Sequence, residues 1–467
     1  MAVPTGSRFQ SLALSLSGGG YRATAFHLGT LSFLHDVGLL ERVRALSTAS
    51  GGTIAGACYA QSLAKQQTFA QFHSQLYAFL RDVDVIDASL KKMPNHGKLI
   101  VAAARVYRDL FTATLGDVQK SADHLEEISF NATDMRNGLA FRFVKTANPH
   151  VHSGNREMPI PDEIAATLRL SDIVAASACF PGAYEPIVFP HDFGVDSDRH
   201  VTLMDGGIYD NQGIDSLLLV RSRSAKIDRI IVSDADVSGP PMYEEPPRRW
   251  LGIVPVWLIA AGAFALDIAA IASAVVTRDI LGRVVSALTA LLVSGIIAGA
   301  VRLKRSRIAN RPRPLLWRHI LGLTLTELVA ALETRAASLI ALTSRVFMKR
   351  VRMLTYRRLF DAPETSGRAM GNLITDLMRD REATDEMQRI GLLAASMPTT
   401  LWFDDVQELR EVIAAGRMTT CRTLLRHISR IRGTLPAETQ ALKLRCAIAW
   451  KMFRNDPMYG VDIEVSE

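Results

Sequence analysis

The feature that most constrains the fold is a strand-turn-helix pattern that occurs twice near the start of the chain. Residues 12–17 alternate in polarity, run into Gly18-Gly19-Gly20, and precede residues 21–37, where apolar side chains recur at helical spacing. A second strand is predicted over residues 43–48, followed by a second helix over residues 54–63. Strands that alternate with helices predict an α/β domain with a mainly parallel sheet. Further strands are predicted at residues 140–144, 187–189, 201–204 and 230–232.

Two long apolar runs follow the end of this pattern at Pro240-Pro241. They cover residues 251–276 and 284–301, which are 26 and 18 residues long. At about 1.5 Å per residue, such lengths span or nearly span a hydrocarbon core of roughly 30 Å. They predict a transmembrane helical hairpin. Two buried core helices are the alternative, since Asp267 within the first run is costly in lipid unless it is paired.

Basic residues flank the predicted hairpin. Arg248 and Arg249 precede it, and residues 302–318 contain seven basic residues and no acid. The positive-inside tendency therefore places both flanks, and with them residues 8–240, on the cytoplasmic side. The basic block fits nucleic acid, anionic lipid or simple solvation. We expect a membrane rather than nucleic acid as its partner.

The composition fits a globular chain of several structural units in a reducing compartment. The net charge is +7, and the four cysteines are scattered without a CxxC pair, which suits a reducing compartment and argues against a zinc site. No secretory signal is visible at the start. The predicted division is a catalytic domain over residues 8–240, the hairpin over residues 251–301, and a basic juxtamembrane segment with a helical C-terminal region over residues 302–467.

A candidate nucleophile lies between the second strand and its helix. The sequence there is Thr48-Ala49-Ser50-Gly51-Gly52. A serine on a tight strand-to-helix turn presents its hydroxyl above a helix N-terminus, which favours nucleophilic attack. Small neighbours permit such a turn, although Thr48 stands where the common motif has glycine. An ordinary turn is the alternative for this pentapeptide taken alone.

Gly18-Gly19-Gly20 is a candidate anion-binding loop at the end of the first strand. Successive glycines let backbone N–H groups converge on an oxyanion or a phosphate. A nucleotide-binding loop ranks lower, because the sequence lacks the GK[ST] ending of a P-loop and the GxGxxG of a dinucleotide fold. Arg22 follows closely, and three roles stay open for it: steadying this loop, binding a lipid phosphate, or forming a surface salt bridge.

A candidate base, Asp205, ends the strand predicted over residues 201–204. The Asp-Gly-Gly sequence that begins there is typical of an ordinary turn. An acid at the end of a strand in a parallel sheet is, however, well placed to face a serine on a neighbouring strand.

Together these segments resemble the patatin-like phospholipase family. The resemblance rests on GGGYR at residues 18–22, TASGG at residues 48–52 and DGG at residues 205–207, in the family's order. Two intermediate stretches also fit, Asn-Ala-Thr-Asp at residues 131–134 and Ala-Ser-Ala-Cys-Phe-Pro at residues 176–181. The similarity covers residues 10–236.

The resemblance implies a three-layer α/β/α fold and a Ser–Asp dyad that needs no histidine. Ser50 would attack an acyl carbonyl and Asp205 would accept its proton directly. The backbone N–H groups of Gly18, Gly19, Gly20 and Gly51 would hold the oxyanion. The expected substrates are phospholipids or related acyl esters, and the expected cofactors and metals are none. Thr48 and Ala23 depart from the family's usual glycines, so the detailed geometry of the serine turn is left open.

Two rivals to this reading are open at the level of sequence. A Ser-His-Asp triad in the usual order would need His319 or His427, both in Arg-rich helical stretches, while His27 is expected to be a packed or capping residue. A membrane scaffold that keeps the fold without turnover is the alternative function. The sequence predicts no particular oligomeric state.

Overall fold

The structure, a computed structural model, describes most of the 467-residue chain. The described residues are 9–94, 97–195, 198–223, 227–236 and 322–462, together with scattered residues between 245 and 272. Two compact units emerge: residues 1–240 with 347–467 form the first, and residues 241–346 form the second. The candidate active site lies in the first unit.

Eight strands in the described part of the chain form one sheet. Their order is β5-β6-β3-β2-β1-β7-β8, and β4 pairs with β3 beside this path. Neighbours from β3 through β2, β1 and β7 to β8 are parallel, whereas β4, β5 and β6 pair in antiparallel fashion. The mainly parallel sheet predicted from the sequence is therefore confirmed. The strands are β1 (Leu12–Leu16), β2 (Val43–Ala49), β3 (Glu127–Asp134), β4 (Leu139–Lys145), β5 (Ile187–Phe189), β6 (Val201–Asp205), β7 (Arg229–Asp234) and β8 (Ala369–Leu373).

In β1, β7 and β8, the side chains of alternate residues enter different hydrophobic clusters, one on each face of the sheet. In β1, Leu12, Leu14 and Leu16 belong to the larger cluster, while Ala13 belongs to the smaller one. This is the period of two that a strand imposes. Because both faces are covered, the sheet is the middle of three layers, as predicted.

Helices supply the two outer layers. The helices α1, α2 and α14 contribute to the larger cluster, and α10 and α12 contribute to the smaller one. Short 3₁₀ turns occur at residues 40–42, 191–193 and 377–379, and a π-helical turn at residues 342–347. The α-helices are α1 (Gly20–Asp36), α2 (Gly51–Ala64), α3 (Phe69–Asp82), α4 (Val85–Lys92), α5 (Leu99–Tyr107), α6 (Leu115–Lys120), α7 (Asp162–Thr167), α8 (Leu170–Ser177), α9 (Gly207–Asp210), α10 (Ile214–Arg223), α11 (Leu325–Ala341), α12 (Met348–Phe360), α13 (Asp385–Ser396), α14 (Val406–Ser429) and α15 (Ala437–Asn455).

The C-terminal region is helical, as predicted, but it also completes the sheet. Its strand β8, which was not predicted from the sequence, pairs in parallel with β7. Its helix α14 crosses α1 at two glycines: a Cβ on Gly29 would lie 2.0 Å from the carbonyl oxygen of Ile413, and one on Gly416 would lie 2.1 Å from that of Phe26. Residues 347–467 thus share a compact unit with residues 1–240, whereas the sequence analysis placed them in a separate region.

The predicted transmembrane hairpin finds no support in the structure. Residues 251–301 lie almost wholly outside the described residues, as does the basic block of residues 302–318. In the part of the chain that is described, no helix has both the length and the apolar character that a bilayer crossing requires.

Candidate active site

Ser50 occupies a strained turn between β2 and α2, as the sequence predicted. Its backbone has φ +50° and ψ −122°, a conformation that residues other than glycine rarely adopt. The turn is held from below, since the Ser50 N–H donates to Ser177 Oγ at 3.0 Å and Ser177 Oγ donates to the Asn131 carbonyl at 2.6 Å. The side chain of Asn131 in turn donates to the Thr48 carbonyl at 2.8 Å.

Thr48, the departure from the usual motif, is accommodated beneath the turn. Its hydroxyl pairs with that of Thr53 at 2.9 Å. Its methyl group faces Gly56, where a Cβ would lie only 2.5 Å away. The Thr48 side chain therefore fits beneath the Ser50 turn because the facing residue in α2 is a glycine.

Asp205 is the last residue of β6 and lies near Ser50, although β6 is antiparallel to its neighbour β3. The sequence had predicted that Asp205 ends a parallel strand. The pairing of β6 with β3 nevertheless brings Asp205 close to Ser50. Because β3 extends beyond β2, Asn131 pairs with Ala49 while the next residue, Ala132, pairs with Asp205. The last residue of β6 is thereby brought next to the end of β2, where Ser50 follows.

The Asp205 carboxyl group is buried and only partly hydrogen-bonded. Its Oδ1 accepts from the Gly207 N–H at 2.7 Å, whereas Oδ2 is buried without a hydrogen-bond partner of ordinary geometry. Burial raises the pKa of Asp205 to about 6, and the Ser50 side chain and the Gly207 N–H partly oppose this rise by donating toward the carboxylate. Catalytic hydrogen bonds are often long in the absence of substrate, which is consistent with a Ser50 hydroxyl that is close to Asp205 but not fully engaged.

Ser177 connects the Ser50 turn to the Asp205 turn. Its side chain accepts from Ser50, while its carbonyl accepts from the Gly206 N–H at 3.1 Å. The neighbouring Cys179 carbonyl accepts from the Asp205 N–H at 2.9 Å. The sequence of this stretch supports only the family resemblance, and its role in fixing the two turns relative to each other was not predicted.

The glycine loop lies directly against Ser50. A Cβ on Gly18 would come within 3.0 Å of the Ser50 Cβ. Gly19 and Gly20 have φ of +140° and +59°, values that glycine adopts readily. In the described part of the chain no acceptor is found for the N–H groups of Gly19, Gly20 and Gly51, and the latter two residues are the first of α1 and α2. Free N–H groups at two helix N-termini favour negative charge at this point.

The Gly18 N–H, in contrast, is already engaged. It donates to the carbonyl of Asn211 at 2.9 Å, so this group holds the loop in place instead of facing the site. The Asn211 side chain lies between the loop and the base turn, because a Cβ on either Gly18 or Gly207 would meet its Oδ1 within 2.5 Å. Nothing in the local sequence pattern indicated this role of Asn211.

Arg22 is buried beside the loop, which excludes the surface salt bridge considered for it. Its Nη1 donates to the carbonyl of Met397 at 2.6 Å. Its Nε is buried without a hydrogen-bond partner, and burial lowers the pKa of its guanidinium, opposed by the nearby Asp236 and Asp234. Of the roles left open, steadying the loop is the one that this contact fits.

The described histidines make no hydrogen bond to Ser50 or Asp205. Both ring nitrogens of His27 are engaged, with Ser233 Oγ at 3.0 Å and the Ser17 carbonyl at 2.9 Å, and burial lowers its pKa to about 4. His27 is thus a packed residue, as expected. His427 contacts the ring of Phe9, before the start of β1 and at the opposite end of the sheet from Ser50. His319 lies outside the described residues.

The comparison with known families agrees with this arrangement. Residues 14–218 match the family model described as patatin-like phospholipase. These residues are therefore similar to a patatin-like phospholipase domain. The match supports the predicted class of enzyme, a lipid acyl hydrolase, and the Ser50 turn, the glycine loop and Asp205 all fall within the matched residues. The C-terminal region lies outside them.

Two solved structures show a distant likeness to this chain. Human GIVD cytosolic phospholipase A2 aligns with a TM-score of 0.43 and 11% identity over 95% of this chain and 61% of the human chain, so this chain spans less than two thirds of that protein. VipD from Legionella pneumophila aligns with a TM-score of 0.27 and 12% identity over 98% of this chain and 93% of the other. Both scores are too low to establish a common fold. No curated protein matches the chain at a significant level.

Proposed function

We propose that the patatin-like domain hydrolyses acyl esters of membrane lipids through a Ser50–Asp205 dyad and a covalent acyl-enzyme. The observation that carries the proposal is the juxtaposition of Ser50, on its strained turn, with a buried carboxyl group whose Oδ2 has no other partner. The N–H groups of Gly19, Gly20 and Gly51, for which no acceptor is found among the described residues, lie next to Ser50. These three features are a nucleophile, a base and a set of oxyanion donors.

The reaction proceeds in two balanced halves. Ser50 Oγ attacks the acyl carbonyl carbon as its proton passes to Asp205, and the three N–H groups hold the oxyanion. The carbonyl then re-forms, the ester bond breaks, and the leaving alcohol takes the proton from Asp205. Water next attacks the acyl-enzyme with Asp205 as base, releasing the fatty acid and returning the proton to Ser50.

The raised pKa of Asp205 suits the role of a base. A carboxylate with a pKa of about 6 is a stronger base than an exposed one and is still ionised at neutral pH. Since only the ionised form accepts the Ser50 proton, turnover should rise with pH through about 6 and then level off.

Labelling with a fluorophosphonate probe tests the dyad directly. The wild-type chain should be labelled at Ser50, and Ser50→Ala and Asp205→Asn should each lower turnover of a p-nitrophenyl ester by several orders of magnitude. The double variant should be little worse than either single one, because nucleophile and base act as a unit. Ser32→Ala and Asp210→Asn remove a buried hydroxyl and a buried carboxylate elsewhere, and both should keep turnover near wild type. Near-normal turnover in Asp205→Asn would exclude the proposed base, and an unlabelled wild type would favour the scaffold alternative.

We also propose that the chain attaches to a membrane, with the catalytic domain on the cytoplasmic side. Support comes from the sequence alone, through the apolar residues 251–301 and the adjacent basic block. Such a chain should stay in the membrane pellet after high-salt and alkaline washes, because salt screens basic residues but does not weaken burial of apolar segments. A Gly/Ser linker in place of residues 251–301 should release the protein with Ser50 still reactive. A wild-type chain that needs no detergent to stay in the supernatant would refute integral attachment.

A further inference from the structure

A segment of the C-terminal region lies against the glycine loop of the active site. It covers residues 397–403, between α13 and α14, and is called the strap below. The Thr400 carbonyl accepts from the Tyr21 N–H at 2.8 Å, and the Met397 carbonyl accepts from Arg22 Nη1 at 2.6 Å. Tyr21 and Arg22 directly follow the three glycines, so the strap holds the loop at the point where it enters α1.

The contact with Gly20 is closer still. A Cβ on Gly20 would lie 2.3 Å from the Thr400 carbonyl oxygen and 3.3 Å from the Thr399 side chain. Glycine at residue 20 is therefore required both by its φ of +59° and by the strap above it.

Gly20 transmits this contact to the nucleophile turn. A Cβ on Gly51 would meet the Gly20 carbonyl oxygen at 2.2 Å. The hydroxyl of Thr24 lies 3.1 Å from the Gly20 carbonyl and 2.9 Å from the Gly51 carbonyl, and so links the first turns of α1 and α2. The strap, the glycine loop and the residue after Ser50 thus form one series of backbone contacts.

The strap is itself held at several points. The Leu401 carbonyl accepts from the Val85 N–H at 3.1 Å, and the Phe403 ring stacks on the Tyr21 ring with 6.1 Å between centroids. Beyond its end, α14 is fixed along α1 by the contacts of Gly29 and Gly416. A shift of the strap would therefore require a shift of α14 against α1 or a local loosening of the strap itself.

We propose that the strap is a positioning element of the active site, which sets the distance between the oxyanion donors of the glycine loop and Ser50. This inference rests on the proposed function. It gives the C-terminal region, which lies outside the matched residues 14–218, a part in catalysis. Because Thr400 engages the Tyr21 N–H, the strap also leaves Gly19 and Gly20 as the free donors of the loop.

A positioning role makes a distinct kinetic prediction. Displacement of reacting groups by about 1 Å can cost about 10²-fold in rate, and loss of one oxyanion donor costs about 10²–10³-fold in kcat. Loosening the strap should therefore lower kcat while KM changes little. The pH midpoint of turnover should not move, because the pKa of Asp205 is set by its burial, Ser50 and Gly207, none of which belongs to the strap.

The experiment loosens the strap without removing a buried side chain. Pro398 and Thr399 are both exposed, so Pro398→Gly/Thr399→Gly adds backbone freedom at little cost in packing. The matched control is Thr434→Gly/Pro436→Gly, the same pair of changes in the loop between α14 and α15. For each full-length variant we would measure kcat and KM on a p-nitrophenyl ester, the pH midpoint, the fluorophosphonate labelling rate, the melting temperature, and hydrogen exchange of the Tyr21 amide.

The strap variant should lose at least about ten-fold in kcat and in labelling rate, a lower bound on the cost of a misplaced donor. Its Tyr21 amide should exchange faster, and its melting temperature should match the control, which keeps wild-type kcat. Arg22→Lys should retain more kcat than Arg22→Met, since lysine can still donate toward Met397. Wild-type kcat in the strap variant, or an equal loss in the control, would overturn the inference. Failure of the proposed function is told apart because the wild type itself would then resist labelling, which would overturn both.

Discussion

The residues around Ser50 and the helices of the C-terminal region are held by different kinds of interaction. The Ser50 and Asp205 turns are fixed by hydrogen bonds between backbone groups and buried polar side chains, chiefly those of Ser177 and Asn131. The C-terminal region is fixed by close helix packing at Gly29 and Gly416 and by ion pairs. Directional hydrogen bonds place atoms precisely, whereas packing and charge supply most of the attachment. Hydrogen bonds thus set the geometry of the Ser50 and Asp205 turns, whereas the C-terminal helices, as distinct from the strap, mainly give support.

The strongest support in the C-terminal region is a buried ion pair at the end of β7. Arg352 on α12 donates from Nε at 3.0 Å and from Nη2 at 2.8 Å to Oδ2 of Asp234, which is fully buried. The Tyr356 hydroxyl donates to the same oxygen at 2.7 Å. An anchor of this kind joins the C-terminal helices to the sheet.

Breaking the Arg352–Asp234 ion pair should cause a larger loss of stability than any other substitution proposed here. Arg352→Met leaves the Asp234 carboxylate buried with only neutral donors, and breaking a buried pair in this way costs about 3–5 kcal/mol. Chemical denaturation should show this fall in the free energy of unfolding. Arg81→Met breaks an exposed pair with Asp82 and should change it little.

A milder variant keeps this test informative if Arg352→Met does not fold. Arg352→Lys retains a positive charge and should fall between wild type and Arg352→Met. Equal stability of Arg352→Met and Arg81→Met would show that α12 is attached to the sheet by packing alone.

Local patterns in the sequence predicted the catalytic part of the fold well. The strands at residues 12–17 and 43–48, the turn at Ser50 and the strand before Asp205 each follow from residues adjacent in the chain. The Ser50 turn required only that small residues follow a strand and precede a helix. Recognition of this region was possible because its constraints are local.

The remainder depends on contacts that leave no local pattern. Strand β8 contains Gly371 and Asn372, and it is held by pairing with β7 and by the Asn372 side-chain amide, which lies within hydrogen-bond distance of Ser233, Thr30 and Thr420 across the core. The strap acts through carbonyl groups, which every residue carries, so its sequence could not reveal its role. For the same reason the engagement of the Gly18 N–H by the Asn211 carbonyl was not foreseen.

A comparison of two buried acids, Asp205 and Asp210, distinguishes an effect of position in the active site from an effect of burial alone. Asp205 and Asp210 are five residues apart, and burial raises the pKa of each to about 6. A folded-state pKa above the unfolded value of 3.8 means that stability is present below pH 3.8 and is lost as the pH rises through about 6. At 1.36 kcal/mol per pKa unit, each ionised acid lowers stability by up to about 3 kcal/mol at neutral pH.

Replacement of either acid by asparagine should therefore raise the melting temperature at pH 8 and have little effect near pH 3.5. The two variants should differ in turnover, which is lost in Asp205→Asn and retained in Asp210→Asn. Thermal unfolding at both pH values, with ester hydrolysis at pH 8, checks this. A loss of turnover in Asp210→Asn at unchanged stability would show that Asp210 also contributes to catalysis.

The smallest effect on turnover is expected at His427, which belongs to the supporting part of the molecule. Its ring contacts Phe9 with centroids 6.2 Å apart, and burial lowers its pKa to about 4, with Arg229 and Arg430 adding to the effect. Because its folded-state pKa lies below the unfolded value of 6.5, stability is lost as the pH falls from 6.5 toward about 4. His427→Ala should reduce this pH dependence while kcat at pH 8 stays within about two-fold of wild type, since a catalytic histidine would contribute at least about 10³-fold. Measurement of kcat and of the melting temperature between pH 4 and pH 8 distinguishes the two roles. A fall in kcat near 10³-fold at unchanged melting temperature would make His427 part of a triad, and the catalytic geometry would then have to extend into the C-terminal region by a route other than the strap.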